Sequence, residues 1–416
     1  MLAAGSRNLT QGFPESGCEV ADIFRAHGHE YQMVHPMPCA HRRVISAIVN
    51  CRTQEQGGRI ERCDRCGFQR TVYNSCRNRH CPKCRTMAKA RWLNARMGEL
   101  LPVGYFHAVF TLPHEINAVA QCNKNELYTI LFRAVSQTLS GFGCNPGNGL
   151  GGKMGFILIL HTWSQVLLDH YHLHCVIPAG ALSHDGSRWI ASRKRFLFPV
   201  RALSRVFRGK FIELLEKSYH TGKLIFPGST AHLRTLPGFR KLIRQLRSRQ
   251  WVVYSKKPFA GPEAVLDYLG RYTHRVAISN HRIIALRHGK VMFSYKDRSE
   301  NNTRKIMTLD ADEFIRRFLL HILPGGFMRI RYYGFLANRS KKKDLSRIRD
   351  LLVCTYRQPD TKEASVSALM LQLTDIDITQ CPACRKGTMK QIGEISPGLT
   401  RNLLHTPKHA LHHNSS

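Results

Sequence analysis

The sequence predicts an α+β protein in which an N-terminal zinc ribbon-like module precedes a larger domain of strands and helices. Three observations lead there. Of 14 cysteines, six crowd between Cys51 and Cys84. From Tyr105 onward, short apolar runs of strand length are separated by Gly- and Asn-rich turns such as Gly141 to Gly152. Lys and Arg total 63 against 28 Asp and Glu, a formal net charge of +35, and such a field attracts polyanions, nucleic acid first among them.

The 416 residues, 43% of them hydrophobic, suffice for two or three cored domains. The composition divides them into a zinc-binding, DNA-binding unit at 1–100, a strand-and-helix domain at 101–340 and a basic C-terminal region at 341–416. That last region contains Lys341-Lys342-Lys343 and ends in a polar, His-rich tail after Ser396. Met1 to Thr10 lack the apolar core of a signal peptide, and no apolar run reaches the length of a membrane span. With no amphipathic or lipid-anchoring segment, the reading is a cytoplasmic protein with no membrane partner. Thiols stay reduced there, so the cysteines point to metal rather than to disulfides.

The elements follow in order. A helix is predicted over Thr86 to Leu101, with Arg91 and Arg96 exposed. Tyr105 to Leu112, Met154 to His161 and His172 to Leu182 read as strands. The basic stretch from Ser192 to Arg249 reads as helical, with Phe207, Phe211, Leu214 and Leu215 on one side. Gly261-Pro262-Glu263 opens a further helix, since proline at an early position forfeits no hydrogen bond. Val276 to Leu286 and Lys290 to Lys296 complete the strands.

Within the cysteine stretch, Cys63-Asp-Arg-Cys66-Gly67 and Cys81-Pro-Lys-Cys84 are two CxxC knuckles with 14 residues between their inner cysteines. One tight turn aims both thiolates of a pair at one ion, and two turns complete a tetrahedron, so Cys63, Cys66, Cys81 and Cys84 are the expected ligands of one structural Zn2+. Cys76 and His80, inside the loop, could replace one ligand or serve a second ion, with packing around the ion the preferred reading. Cys39, His41 and Cys51 have no ligand spacing. Cys381-Pro-Ala-Cys384 is half a site whose other half the sequence does not show, although Cys354 and the tail histidines are available.

Asp169-His-Tyr-His172-Leu-His174-Cys-Val-Ile177 is the most informative stretch. Side chains alternate along a strand, so His172, His174 and Val176 share one face and Leu173, Cys175 and Ile177 the other. Two imidazoles roughly 7 Å apart along the backbone can converge on one ion. His170 has the same parity, and Gln165, His161 and Asp169 are candidates for a third ligand. On the following helix, Tyr268 and Tyr272 stand at i and i+4, and Arg271 and Arg275 fall close to them at about 100° per residue. Val265, Leu269, Tyr272 and Val276 also form an apolar stripe, so packing alone would explain the tyrosines. Taken together, however, the two segments supply both halves of one reaction. A phenol attacks a phosphodiester poorly unless the phosphate is polarised, and a histidine-bound cation does that. Imidazole and phosphate oxygen together suit Mn2+ or Mg2+. Attack by tyrosine leaves a 5′-phosphotyrosyl link and a free 3′-hydroxyl.

The His-hydrophobe-His strand followed by Tyr-x-x-x-Tyr resembles the HUH endonucleases, and the whole ensemble resembles the rolling-circle transposases of the insertion-sequence family numbered ninety-one. The matching stretches are Tyr73 to Cys84, Phe110 to Glu115, His172 to Pro178, Tyr268 to Arg275 and Arg329 to Leu336. The resemblance implies His172 and His174 as metal ligands, Tyr268 and Tyr272 as paired nucleophiles, and Arg271 and Arg275 as phosphate-binding groups. It implies an antiparallel sheet of four or five strands flanked by helices, with the histidines on a central strand and 101–340 as the catalytic domain. Its implied partner is single-stranded DNA at the ends of a mobile element and at the target. Tyr171 departs from the family pattern, which has proline or a small turn residue there. Replication initiators and relaxases share the chemistry, and a zinc-ribbon regulator with core tyrosines is the non-enzymatic alternative.

Overall fold

The computed structural model describes residues 17–193, 197–259, 265, 270, 276–297, 300–353, 365–374 and 376–398. Among them are three sheets, and the class is α+β as expected. Strands are numbered in chain order, with β1 Gly58–Cys63, β2 Gln69–Tyr73, β3 Tyr105–Thr111, β4 Lys153–Trp163, β5 Asp169–Pro178, β6 Gly180–Leu182, β7 Trp189–Ala191 and β8 Val253–Phe259. The later strands are β9 Ile283–Arg287, β10 Lys290–Asp297, β11 Thr303–Asp310, β12 Ile330–Gly334 and β13 Met389–Ile395.

The main sheet runs β7-β6-β4-β5-β3-β8, with β12 also paired to β4. Its seven strands exceed the four or five implied by the family pattern, because β6 and β12 share one edge of β4, at Lys153–Met154 and at Gly155–Ile159 respectively. β4 reads as an almost unbroken apolar run, as a strand covered on both faces must. One face is covered by the helices Lys124–Cys144 and Val200–His220, where Phe207, Phe211 and Leu215 pack on Phe106, Phe110 and Leu173. The other face meets Trp92 and Leu93 of helix α3 (Arg85–Met97), Leu345 and Ile348 of the helix Lys341–Leu351, and Val265. β5 is therefore central and buried on both sides.

The smaller sheet β11-β10-β9 packs with the helix Ala311–Leu320. The first two helices of the chain, α1 (Val20–Val34) and α2 (Cys39–Val49), join that same core, in which Phe24, Ile45 and Ile48 lie with Phe293, Phe314 and Phe318. Glu19 and Asp22 start α1 with a reciprocal capping box. The third sheet, β13-β1-β2, brings the C-terminal strand alongside Gly58–Cys63. The unit expected at 1–100 is thus shared out in space, because its helices bury their apolar faces on 277–322 and its strands pair with 389–395. Val276 to Leu286, expected as one strand, becomes β9 only from Ile283, after a 3-10 turn at Asn280–Arg282. No helix among the described residues is long and apolar enough to cross a membrane.

Candidate active site and metal centres

The alternation expected for β5 holds. Leu173, Cys175 and Ile177 enter the main core, while Val176 belongs to the apolar cluster on the opposite face. Antiparallel pairing sets His161 of β4 directly across from His172 and Val109 of β3 across from His174, and opposed residues share a face. His161, His172 and His174 are all buried, and their ligand nitrogens lie within 4.8 Å of one another. His161 stacks on Trp163, with ring centroids 4.7 Å apart.

Hydrogen bonds set the ring orientations. His172 Nδ1 lies 2.8 Å from the His170 carbonyl, so Nδ1 carries the hydrogen and Nε2 presents its lone pair. His174 Nδ1 lies 3.0 Å from His107 Nε2. Burial, with help from the Lys256 charge, pushes the His107 imidazole down to about 3, so His107 is neutral and can accept the His174 hydrogen. The two outward nitrogens, His172 Nε2 and His174 Nε2, are 3.1 Å apart. Adjacent corners of an octahedron with bonds of about 2.1 Å are roughly 3.0 Å apart. The donor set and spacing therefore fit a six-coordinate divalent cation, and the imidazoles favour Mn2+ over Mg2+.

Of the other candidates for a third ligand, Asp169 lies on the opposite parity. There it accepts from Gln121 Nε2 at 2.6 Å and from the Tyr171 hydroxyl at 3.0 Å, and burial raises its carboxyl pKa. Gln165 lies in the turn between β4 and β5, where its carbonyl accepts from Arg282. Tyr171, the residue that departs from the family pattern, is accommodated because it faces the core, with its ring against Tyr128.

The cysteines assemble differently from the expectation. Cys63, Cys66, Cys81 and Cys84 do not surround one point. Cys81 and Cys84 join Cys51 and Cys76, while Cys63 and Cys66 face Cys381 and Cys384. The reason lies in the fold. α2 ends at Val49 and delivers Cys51 beside the second knuckle, whereas the β1–β2 hairpin turns the first knuckle toward β13. In the first cluster Cys51 Sγ and Cys76 Sγ lie 3.5 and 3.6 Å from Cys84 Sγ. Thiolates on a tetrahedral ion with bonds of about 2.3 Å are about 3.8 Å apart, against about 2.05 Å in a disulfide. Four reduced thiols at this spacing fit zinc. Their mutual hydrogen bonds hold the Cys84 thiol far below its ordinary value, bring Cys51 down to about 7 and drive Cys81 up. Cys51, which sequence spacing did not select, and Cys76, offered there only as a substitute ligand, are thus full members of the set. His80 lies outside it, where its Nε2 accepts from the backbone N–H of Leu323.

Between this cluster and α3 runs a groove of about 690 Å³, lined by Arg52, Arg59, Arg70, Arg77, Arg85 and Arg91. Glu61 bridges Arg59 and Arg70 at 2.6 and 2.7 Å, which fixes two of these guanidiniums in place. Burial pulls Arg85 down to about 10, so it stays charged at neutral pH. Tyr268, Tyr272, Arg271 and Arg275 lie outside the described residues. Val265 and Gly270 are described; both have helical backbone, and Gly270 sits close to Lys89 and Leu93 of α3.

A buried imidazole set on two paired central strands, a thiolate-built N-terminal region and an arginine groove define a metal-binding protein suited to nucleic acid. Residues 155–344 match the family described as "Putative transposase", and residues 23–112 match the "Transposase zinc-binding domain". "Putative transposase y4qJ" of Sinorhizobium fredii (strain NBRC 101917 / NGR234) is 50% identical over 388 residues, covering 92% of this chain and 97% of that protein. "Transposase for insertion sequence element IS801" of Pseudomonas savastanoi pv. phaseolicola is 26% identical over 347 residues, covering 82% and 80%. No solved structure matches. The chain belongs to the insertion-sequence transposases of the IS91 type. Structural zinc is part of that identity, through its zinc-binding domain.

Proposed function

We propose that this transposase cuts and rejoins single-stranded DNA through tyrosine. In this reading His161, His172 and His174 hold a divalent cation, Mn2+ or Mg2+. The observation that carries it is the convergence of His172 Nε2 and His174 Nε2 to 3.1 Å on one buried face, with His161 beside them. When bound, the cation supplies Lewis acidity and a template for the scissile phosphate. Tyr268 and Tyr272 are the nucleophiles. The phenolic oxygen attacks phosphorus as its proton leaves, the bond from phosphorus to O3′ breaks, and O3′ gains a proton. The products are a 5′-phosphotyrosyl link and a 3′-hydroxyl, and rejoining reverses the exchange without ATP.

Support for the tyrosines comes from Val265, which belongs to the apolar cluster of Tyr105, Ile159 and Val176 on the histidine face. Tyr268 follows three residues later, a reach of no more than roughly 11 Å. Arg271 and Arg275 are assigned to phosphate oxygens, which the guanidinium fork suits. The arginine groove receives the flanking strand, and the zinc of Cys51, Cys76, Cys81 and Cys84 folds its wall. Two tyrosines permit a second cleavage while the first link persists, which rolling-circle movement of an insertion sequence requires.

Incubation with single-stranded element ends should give a covalent adduct that needs Mn2+ or Mg2+ and maps to Tyr268 or Tyr272. The His172→Ala, His174→Ala variant should keep DNA binding, which rests on the basic surface, and form no adduct. DNA mapped to a tyrosine outside this helix would overturn the reading.

A further inference from the structure

The second cysteine set belongs to neither matched region alone. Cys63 and Cys66 lie inside the zinc-binding match, which ends at residue 112, whereas Cys381 and Cys384 lie beyond residue 344, where the transposase match ends. Cys63 Sγ is 3.7 Å from Cys384 Sγ and Cys66 Sγ is 3.7 Å from Cys381 Sγ. That is the edge of a thiolate tetrahedron of about 3.8 Å and far from a disulfide. Each half is a knuckle in its own right. The backbone N–H groups of Arg65 and Cys66 point at Cys63 Sγ, at 3.4 and 3.5 Å, and the N–H of Gly387 points at Cys384 Sγ at 3.4 Å. Such N–H donors stabilise thiolate over thiol. The residue after each second cysteine, Gly67 or Arg385, takes positive φ, at 73° and 54°.

We propose that Cys63, Cys66, Cys381 and Cys384 hold a second structural zinc that clasps the C-terminal segment onto the zinc-binding domain. Around the clasp the two knuckles interlock: Asp64 N–H donates to the Thr388 carbonyl at 3.1 Å, and Thr388 N–H donates to Asp64 Oδ1 at 2.8 Å. From there β13 runs the length of β1, from Cys63 opposite Met389 to Gly58 opposite Ile395. The clasp also shapes the arginine groove. Val366, Met370 and Ile378 complete its lining, and Arg70 Nη2 donates to the Ile378 carbonyl at 2.6 Å. The second zinc is thus a device for building the DNA-facing groove from two distant parts of the chain.

Zinc counting on the full chain by native mass spectrometry tests this. In the full chain carrying His172→Ala and His174→Ala, which removes the imidazole site, the expected result is two ions, falling to one when Cys381→Ser and Cys384→Ser are added. The Cys384→His variant, which keeps a donor, should retain two. The thiolate-to-cobalt absorbance, to which imidazole ligands do not contribute, should saturate at two equivalents and halve when Cys381 and Cys384 are replaced. A single ion in the His172→Ala, His174→Ala chain would overturn the proposal whatever the further variants do, and so would two ions once Cys381 and Cys384 are also replaced in a folded chain. The count does not depend on strand cleavage, so its failure is separate from failure of the tyrosine mechanism.

Discussion

The histidine site and the cysteine clusters are built on opposite principles. The three imidazoles stand on neighbouring strands of a ladder that is hydrogen-bonded along its length and buried on both faces. Their convergence is imposed by backbone pairing, and a cation would be a guest in a site already made. The cysteines come from loops and turns: a helix end at Cys51, a loop at Cys76, and knuckles at Cys63, Cys81 and Cys381. Their Sγ pairs, 3.5–3.7 Å apart, tie separate segments together, and beside Cys63 and Cys384 the Asp64–Thr388 hydrogen bonds and the β1–β13 ladder share that task. There an ion would be part of the scaffold. The difference teaches that, on the proposed reading, one protein would use metal both as a reagent and as a structural joint.

The sharpest way to break that comparison is to remove each metal separately. Prolonged treatment with a strong chelator and a thiol reagent should unfold the cysteine-bearing sheet, because at such sites binding energy is folding energy. Circular dichroism and proteolysis would report this as loss of structure. Mild chelation should abolish strand cleavage, reversibly on adding Mn2+, while shifting Tm by only a few degrees, the order expected for a weakly held ligand. Cooperative unfolding under mild chelation would show that the histidine site is not prebuilt.

A finer test concerns His107, the positioning residue that touches His174 from β3. His107→Ala should weaken cation affinity by roughly 10–100-fold, as loss of a ligand's hydrogen-bond partner generally does. The measurement is a Mn2+ titration of adduct formation, with the midpoint moving and the plateau rate nearly kept. His107→Gln, whose amide oxygen can accept from His174 Nδ1, should recover part of the affinity. An unmoved midpoint in His107→Ala would leave His107 with a packing role only.

The smallest effect lies far from both metals. Glu313 bridges Arg316 and Arg317 on the helix that carries Phe314 into the core shared with α1. Hydrogen bonding to Arg316 holds its carboxyl down to about 2. A depressed carboxylate contributes stability above its unfolded pKa of about 4.3, and that contribution is lost as pH falls through 4 toward about 2. Glu313→Gln should therefore destabilise by ~0.2–1 kcal/mol at pH 7, the range of a half-exposed pair. The difference from the unaltered chain should vanish near pH 2, as denaturant titrations at both pH values would show.

What could be read in advance follows the same division. The face carrying His172 and His174 was legible because strand alternation is a local rule, and the opposite face of Leu173, Cys175 and Ile177 confirmed the period. His161 stood among three candidates because strand register, which sets it opposite His172, is not written in either strand alone. The knuckles were legible as turns, but their partners were not. Cys66 meets Cys381 across 315 residues, and Cys51 earns its place only through the end of α2. β11 escaped because its inner face is marked only by Met307 and Leu309, half-buried against the core, while Lys305 shares that face and Ile306 points outward. Tyr268 and Tyr272 were singled out from helical spacing and lie outside the described residues.

The return of β13 to β1 also has a consequence for the order in which the protein can be made. Every strand of the main sheet has left the ribosome once Gly334 has emerged, whereas the sheet of β1 and β2 waits for Ile395. At about 5–20 residues per second, that is an interval of roughly 3–12 s. Throughout it one edge of β1 has no neighbour, and an open edge is a template for pairing with another chain. A nascent transposase is therefore expected to have its histidine face assembled before its arginine groove is closed, and to be most prone to association with its own copies during that interval.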